Sequence, residues 1–261
     1  ELVARVRTHL ALHEATCRAE RQAADLAQLN ADKDRFFSII AHDLRSPLAG
    51  LLGLSEALAA NLAEFTPAEV TEATAEMAKS ARGLYQLLEN LLEWAQLQTG
   101  RMECRPESLA LETLLAELAE LFQPNALQKG LNLRLEAAPV TAWGDRRMVH
   151  AVFRNLLSNA IKFTPAGGTV TLRCFAKDDR AVGEVADTGE GISPAQMESL
   201  FARGAKPMSK PGTAGERGTG LGLGLCRELL ERVWGTITPQ PASGHGVVFT
   251  VSLPVRKSDK S

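Results

Sequence analysis

FFSIIAHDLRSPLAGLLG, residues 36–53, is an apolar run that sets a histidine beside an aspartate and then inserts a proline. Phe36, Ile40, Leu44, Leu48 and Leu51 or Leu52, preceded by Leu29, recur every three or four residues, which makes one stripe of a helix that needs a partner. His42 lies two residues from both Ile40 and Leu44. Each such step turns about 200° around a helix, so the imidazole faces away from the stripe, toward solvent. Pro47 cannot donate to the carbonyl of Asp43 and its ring crowds that group, so a bend is expected one turn beyond His42, at a cost of ~3 kcal/mol or more. A neighbouring carboxylate such as Asp43 can hold one imidazole N–H while the other nitrogen presents its lone pair, the outline of a nucleophile. Surface His–Asp pairs are common, and alone the motif is weak.

The partner helix starts at FTPAEV, residues 65–70. Thr66 is a good N-cap, Pro67 suits the first helical position, Glu69 completes a capping box, and Phe65 with Val70 can form a hydrophobic staple. Val70, Met77, Ala81, Leu84, Leu88, Leu91 and Ala95 keep the helical rhythm until Thr99 and Gly100 stop it. The two helices form an antiparallel hairpin. One wide apolar stripe per helix stays wet in a lone hairpin, whereas two hairpins paired in a four-helix bundle bury it, so a homodimer is expected.

After Arg101 the texture changes. Short β-rich runs, LNLRLEA, GTVTLRCFA and GVVFTVSLP, alternate with helical patterns at residues 110–128, 146–162 and 220–233. Turns such as KDDR connect some strands and helices connect others, which predicts an α/β sandwich with a mixed sheet and helices on one face. The fold class is thus multidomain, α and α+β: a helical hairpin in a dimeric bundle, then the sandwich. The expected divisions are residues 1–30, a helix or linker; 31–100, the hairpin; 101–256, the sandwich; and 257–261, a polar tail.

Bulk composition removes several function classes. The 261 residues hold 29 basic and 31 acidic side chains, a net charge of -2, so there is no electrostatic footprint for nucleic acid and no polybasic patch for membrane contact. Cys17, Cys104, Cys174 and Cys226 lack metal-ligand spacing or a disulfide framework, which favours a reducing, cytoplasmic setting. No run of about 18 apolar residues and no leader pattern is present, so the chain is expected to be soluble, whether or not a longer protein is tethered to a membrane. His9, His13, His150 and His245 read as solvated or packing residues.

Three further clusters suggest chemistry. In RNLLSNAIKFTP, residues 154–165, Asn155, Asn159 and Lys162 fall at i, i+4 and i+7 on one helix face. Amide oxygens suit a hard divalent cation, commonly Mg²⁺ completed by phosphate and water, and the lysine adds charge for phosphate; a solvated face is the plainer alternative. In DTGEGI, residues 187–192, Asp187 at a strand end can accept from an exocyclic amine such as that of adenine, while Gly189 and Gly191 let backbone approach a planar base; a simple turn fits the hexapeptide equally. In GERGTGLGLGLC, residues 215–226, Gly218, Gly220, Gly222 and Gly224 precede a helix whose N–H groups suit a polyphosphate, although the pattern is neither a P-loop nor a Rossmann fingerprint. Upstream, Arg203, Lys206, Lys210 and Arg217 lie in a Gly-, Pro- and Lys-rich stretch with the content of a lid.

Taken in order, these clusters resemble the transmitter core of sensor histidine kinases over roughly residues 30–255. SIIAHDLRSPL resembles the H box, NLLSNAIKFT the N box, DTGEGI the first glycine box, Leu200-Phe201 the F box and GTGLGLGL the second glycine box. The resemblance implies a histidine-phosphotransfer hairpin followed by an ATP-binding domain of the Bergerat type, shared with gyrase, Hsp-type chaperones and mismatch-repair ATPases. It makes His42 the phosphoacceptor and Asp43 its orienting acid, Asn159 and Asn155 the Mg²⁺-binding amides, Lys162 a phosphate contact and Asp187 the reader of adenine. Phe163, Gly189, Gly191 and the segment Gly218, Thr219, Gly220, Leu221, Gly222, Leu223 complete the nucleotide-binding set. The implied reaction is autophosphorylation of His42 from ATP, then transfer to an aspartate of a response-regulator receiver domain. The alternative is a nucleotide-binding signalling scaffold without kinase activity. Ser46, four residues after His42, stands where many members carry Thr or Asn, a position associated with dephosphorylating the receiver. VWGTI, residues 233–237, replaces the more usual double glycine, and ELVARVRTHLALH, residues 1–13, resembles the last helix of a receiver domain.

Overall fold

The computed structural model describes residues 13, 16, 20, 23, 41, 44–98, 103–193, 196, 197, 200, 212–214, 222–242 and 244–255. The chain divides into two compact units, residues 1–84 and 85–261.

In the first unit residues 44–61 are helical (α1), and the helix passes through Pro47. A 3₁₀ turn, Leu62–Glu64, leads to α2, Pro67–Gln98, which runs on into the second unit. The start of α2 is the reciprocal cap that its sequence encodes. Thr66 N–H donates to Glu69 Oε2 at 2.8 Å, and Glu69 N–H donates to Thr66 Oγ1 at 3.3 Å. These bonds favour the ionised carboxylate and hold the Glu69 pKa below its ordinary value. Two helices joined by this short turn form the predicted hairpin.

The second unit is a two-layer α/β sandwich. After β1 (Glu107–Ala110) and α3 (Leu111–Gln128) come β2 (Asn132–Ala137), β3 (Thr141–Gly144), α4 (Arg146–Phe163), β4 (Thr169–Lys177) and β5 (Arg180–Asp187). Then follow α5 (Gly222–Arg232), β6 (Thr236–Pro241) and β7 (Val247–Pro254). The main sheet has the order β2-β4-β5-β7-β6, with β2 parallel to β4 and the other pairs antiparallel, while β1 and β3 make a separate two-stranded ribbon. The parallel pair follows from the crossover through α4, because parallel neighbours cannot be joined by a tight turn. The KDDR turn joins β4 to β5 with Asp178 and Asp179 both at positive φ, as a two-residue hairpin turn twisted to match its strands requires.

Alternation decides which face is covered. Val170, Leu172 and Cys174 of β4, Ala181 and Val185 of β5, and Val247, Phe249, Val251 and Leu253 of β7 are buried in one core with Leu114, Leu118, Val152, Leu156 and Leu229 of the helices. The opposite face is polar: Arg173 pairs with Glu136 at 2.6 Å, and Arg180 Nε donates to Ser252 Oγ at 2.9 Å. Gly183 positions the functional face, because a Cβ there would strike the Phe153 ring. Its absence lets α4 lie directly on β5, so the C-terminal half of that helix comes beside the loop after β5. Among the described residues no helix is long and apolar enough to cross a membrane.

Candidate functional site

The site is built on α4. Asp145 caps its start, accepting from the N–H groups of Arg147 (2.9 Å) and Met148 (3.4 Å), and also from Arg105 N–H at 2.9 Å. Met148, Val149, Val152, Phe153, Leu156, Leu157, Ala160 and Ile161 are buried, which fixes the rotation of the helix. That rotation leaves Asn155, Asn159 and Lys162 half-buried on another face. Asn159 Nδ2 donates to Asn155 Oδ1 at 3.3 Å, so the two amides are neighbours. The Lys162 ammonium sits 4.5 Å from the centroid of the Phe163 ring.

The other elements close on that face through glycine. Asp187 ends β5 with 8% exposure, and its Oδ1 accepts from Gly189 N–H at 2.8 Å and Val247 N–H at 3.3 Å. Both bonds fall on Oδ1, which leaves Oδ2 as the oxygen a ligand amine can address. Burial pushes the Asp187 carboxyl up from its ordinary value, against the opposing pull of the Gly189 and Val247 N–H groups. A Cβ at Gly189 would lie 2.5 Å from the Phe163 carbonyl oxygen, so the loop can lie against the end of α4 only with glycine there. A Cβ at Gly222, the first residue of α5, would collide with the Asn155 amide. The structure therefore links Asp187, Gly189, Phe163, Lys162, Asn159, Asn155 and Gly222 in one contiguous series. Gly191, at φ 76, turns the same loop beside Gly246, and Leu223 follows Gly222 in α5, half-buried.

His42 and Asp43 lie outside the described residues, as do Gly218, Thr219, Gly220, Leu221, Phe201, Arg203, Lys206, Lys210 and Arg217. Ser46 is helical and half-buried in α1. Among the described residues no group of three or more His, Cys, Asp or Glu side chains could hold a metal ion.

Three supporting features escape a reading of the sequence. Lys129 Nζ donates to the carbonyls of Ile161 and Lys162, at 2.7 Å each, and so caps the C-terminus of α4. Thr213 Oγ1 donates to the Thr164 carbonyl at 3.0 Å. Gly246, at φ 106, passes so close to the Asp187 carbonyl that no Cβ fits. The only local signals, a Lys-Gly turn and a Gly-rich turn before β7, do not reveal what either one touches.

The chain is similar to two known protein families. Residues 32–100 match the His Kinase A (phospho-acceptor) domain, and residues 144–257 match the family described as histidine kinase-, DNA gyrase B-, and HSP90-like ATPase. The chain is 33% identical over 226 residues to the circadian input-output histidine kinase CikA of Thermosynechococcus vestitus, covering 85% of this chain and 31% of that protein. It is 32% identical over 225 residues to the sensor histidine kinase RppB of a Synechocystis species, covering 85% of this chain and 49% of that protein. It thus spans half or less of these curated relatives. Full-length ShkA, solved in complex with AMPPNP, superposes with a TM-score of 0.58 at 27% identity, over 85% of this chain and 45% of ShkA.

Proposed function

The chain belongs to the sensor histidine kinase family, a phospho-acceptor domain followed by an ATPase domain, and we propose that it is an ATP-dependent protein-histidine kinase of a two-component system. The observation that carries this reading is the contiguous series from Asp187 through Gly189 and Phe163 to Asn159, Asn155 and Gly222. It offers a buried carboxylate for the adenine amine at one end and, at the other, neighbouring amides with an ammonium for a polyphosphate. ShkA, at 27% identity, was solved with the ATP analogue AMPPNP, which supports the same ligand class here.

Asn155 and Asn159 are the residues for Mg²⁺. Their neutral amide oxygens are hard donors, and one or two protein ligands with phosphate and water suit this ion. When bound, the ion offsets charge on the transferring phosphoryl group. Lys162 supplies a cation on the same face, and Asp187 orients the base. The acceptor is His42: a lone pair on its imidazole forms the P–N bond to the γ-phosphorus as the bond to the ADP oxygen breaks, and a neutral ring suffices near pH 7. The phosphoryl group then passes to an aspartate of a response-regulator receiver domain. The hairpin, residues 31–100, acts as a homodimer in a cytoplasmic setting, and residues 101–256 hold the nucleotide. Ser46 occupies the position associated with dephosphorylating the receiver, with Ser where many members carry Thr or Asn.

Incubation with γ-labelled ATP and Mg²⁺ tests the assignment. The wild type is expected to take up acid-labile, alkali-stable label, and His42→Ala to lose it while still binding nucleotide. Asn159→Ala is expected to lose label through the metal and phosphate contacts. Equal labelling of His42→Ala rejects the acceptor, and an unlabelled wild type that binds ATP favours the scaffold.

A further inference from the structure

The last turn of α4 is held by groups from outside the helix. Lys129 Nζ donates to the Ile161 and Lys162 carbonyls, and the Phe163 carbonyl lies against Gly189. Thr213, from the Gly-, Pro- and Lys-rich stretch ahead of α5, adds a further hold. Its N–H donates to the Lys162 carbonyl at 3.1 Å, and its hydroxyl proton serves the Thr164 carbonyl at 3.0 Å or the Lys162 carbonyl at 3.2 Å. Both donors of Thr213 thus converge on the end of the helix that carries Asn155, Asn159 and Lys162.

The same stretch meets α4 again at Gly222, where a Cβ would collide with the Asn155 amide. Residues 214–221 therefore run between two anchors on one helix, and they include Gly218, Thr219, Gly220 and Leu221. Asn155 and Lys162 are separated by about 10 Å of helix rise, whereas about eight residues of chain can extend to roughly 27 Å. The surplus lets N–H groups of the span meet a polyphosphate lying over Asn159, between the anchors, with neither anchor released. Among the described residues, the next one upstream of this stretch that packs against the core is Leu200. Without the hold at Thr213 the span would reach back to it, growing from about eight to about 21 residues. The local concentration of a tethered segment falls roughly as the −3/2 power of its length, here about fourfold.

We propose that Thr213 is a positioning residue for the nucleotide: by pinning the chain to the end of α4 it keeps residues 218–221 within reach of phosphates bound at Asn155, Asn159 and Lys162. This rests on the nucleotide site proposed above. Thr213 acts through the span rather than on the ligand, so it changes affinity and not the chemical step. Linkage makes the effect reciprocal: a nucleotide that engages the span strengthens the hold, and the Thr213 amide then exchanges its hydrogen more slowly.

The test measures, for the full chain with Mg²⁺, the dissociation constant of a nonhydrolysable ATP analogue, the labelling rate at saturating ATP, and hydrogen exchange of the Thr213 amide with and without the analogue. Thr213→Val loses the hydroxyl and keeps the N–H. It is expected to bind the analogue about two- to fourfold more weakly at an unchanged saturated rate, and Thr213→Ser to restore wild-type affinity. In the wild type the analogue is expected to slow exchange at Thr213. Lys129→Met removes the other donor to the Lys162 carbonyl without touching the span, so it is expected to lower the melting temperature and leave the affinity unchanged, which separates a pin from a helix cap. Wild-type affinity in Thr213→Val, no recovery in Thr213→Ser, an equal loss in Lys129→Met, or exchange indifferent to the analogue each overturns the proposal. A wild type that binds no analogue rejects the nucleotide site itself and this role with it, whereas a wild type that binds but takes up no label rejects the kinase assignment and leaves the affinity and exchange measurements to decide the role of Thr213.

Discussion

Asp187 ionises against the preference of its surroundings. Its carboxyl is pushed up by burial more than the N–H groups of Gly189 and Val247 pull it down. A raised folded-state pKa means that the folded chain holds this proton more tightly than the unfolded chain, whose value is about 3.9. The resulting advantage is present below the unfolded value and is lost as pH rises through the folded one, so at neutral pH the charge is a burden on the fold. A residue kept under those terms is explained by what it binds. Asp187→Asn is therefore expected to leave the melting temperature at pH 7 unchanged or higher, and to narrow that difference on acidification. The same change is expected to weaken ATP binding about 10- to 100-fold, the loss of a charge-assisted hydrogen bond. Calorimetric melting and nucleotide titration of the two proteins check both. A variant that melts lower and binds normally makes Asp187 a structural residue.

At the scale of elements, the end of α5 shows how a local rule can be broken. Trp234 N–H donates to the Glu231 carbonyl at 3.4 Å and Gly235 N–H to that of Leu230 at 2.8 Å, the paired bonds that close a helix through a left-handed residue. That residue, usually glycine, is Trp234 at φ 55. A side chain in this conformation costs roughly 1–2 kcal/mol, so Trp234→Gly should be about 1 kcal/mol more stable than Trp234→Ala in urea unfolding. Within a helix the order is the reverse, and finding that reverse order here would show the turn to be relaxed. The sequence does flag VWGTI as an odd turn, because glycine is missing where one is expected. It also reveals the capping box at Thr66 and the bounds of α4, because each of these is written in residues adjacent along the chain. The β1–β3 ribbon escapes notice because four-residue strands carry too little alternation to register. Within α2 Leu87 is buried at 3% exposure while Leu88 stays 47% exposed, a distinction that one stripe of leucines cannot resolve. Gly222 and Gly224 look alike in sequence, yet a Cβ on the first would hit Asn155 and on the second would meet open space. Only a neighbour from another element separates them.

At the scale of the whole molecule, the exposed leucines of the hairpin call for a partner. Leu48 and Leu52, four apart on α1, are 48% and 50% exposed, and Leu88 and Leu92 repeat that pattern on α2 at 47% and 48%. Isolated apolar side chains on a surface need no explanation, but pairs one helical turn apart form a stripe, and a stripe is what a second hairpin covers. A two-fold contact presents Leu48 and Leu52 twice. Replacing both with aspartate removes four half-buried apolar groups and adds four carboxylates, a penalty on the order of 4 kcal/mol, or about a thousandfold in dissociation constant. Light scattering is expected to give the wild type twice the 28.1 kDa mass of one chain, and Leu48→Asp/Leu52→Asp the mass of one. Because the residues proposed to hold the nucleotide all fall within residues 85–261, the second unit, the double variant should bind an ATP analogue with wild-type affinity, which separates failure to pair from failure to fold. A wild type with the mass of one chain removes the dimer, and with it the reason for an apolar stripe on α1; a double variant that still pairs moves the contact off α1.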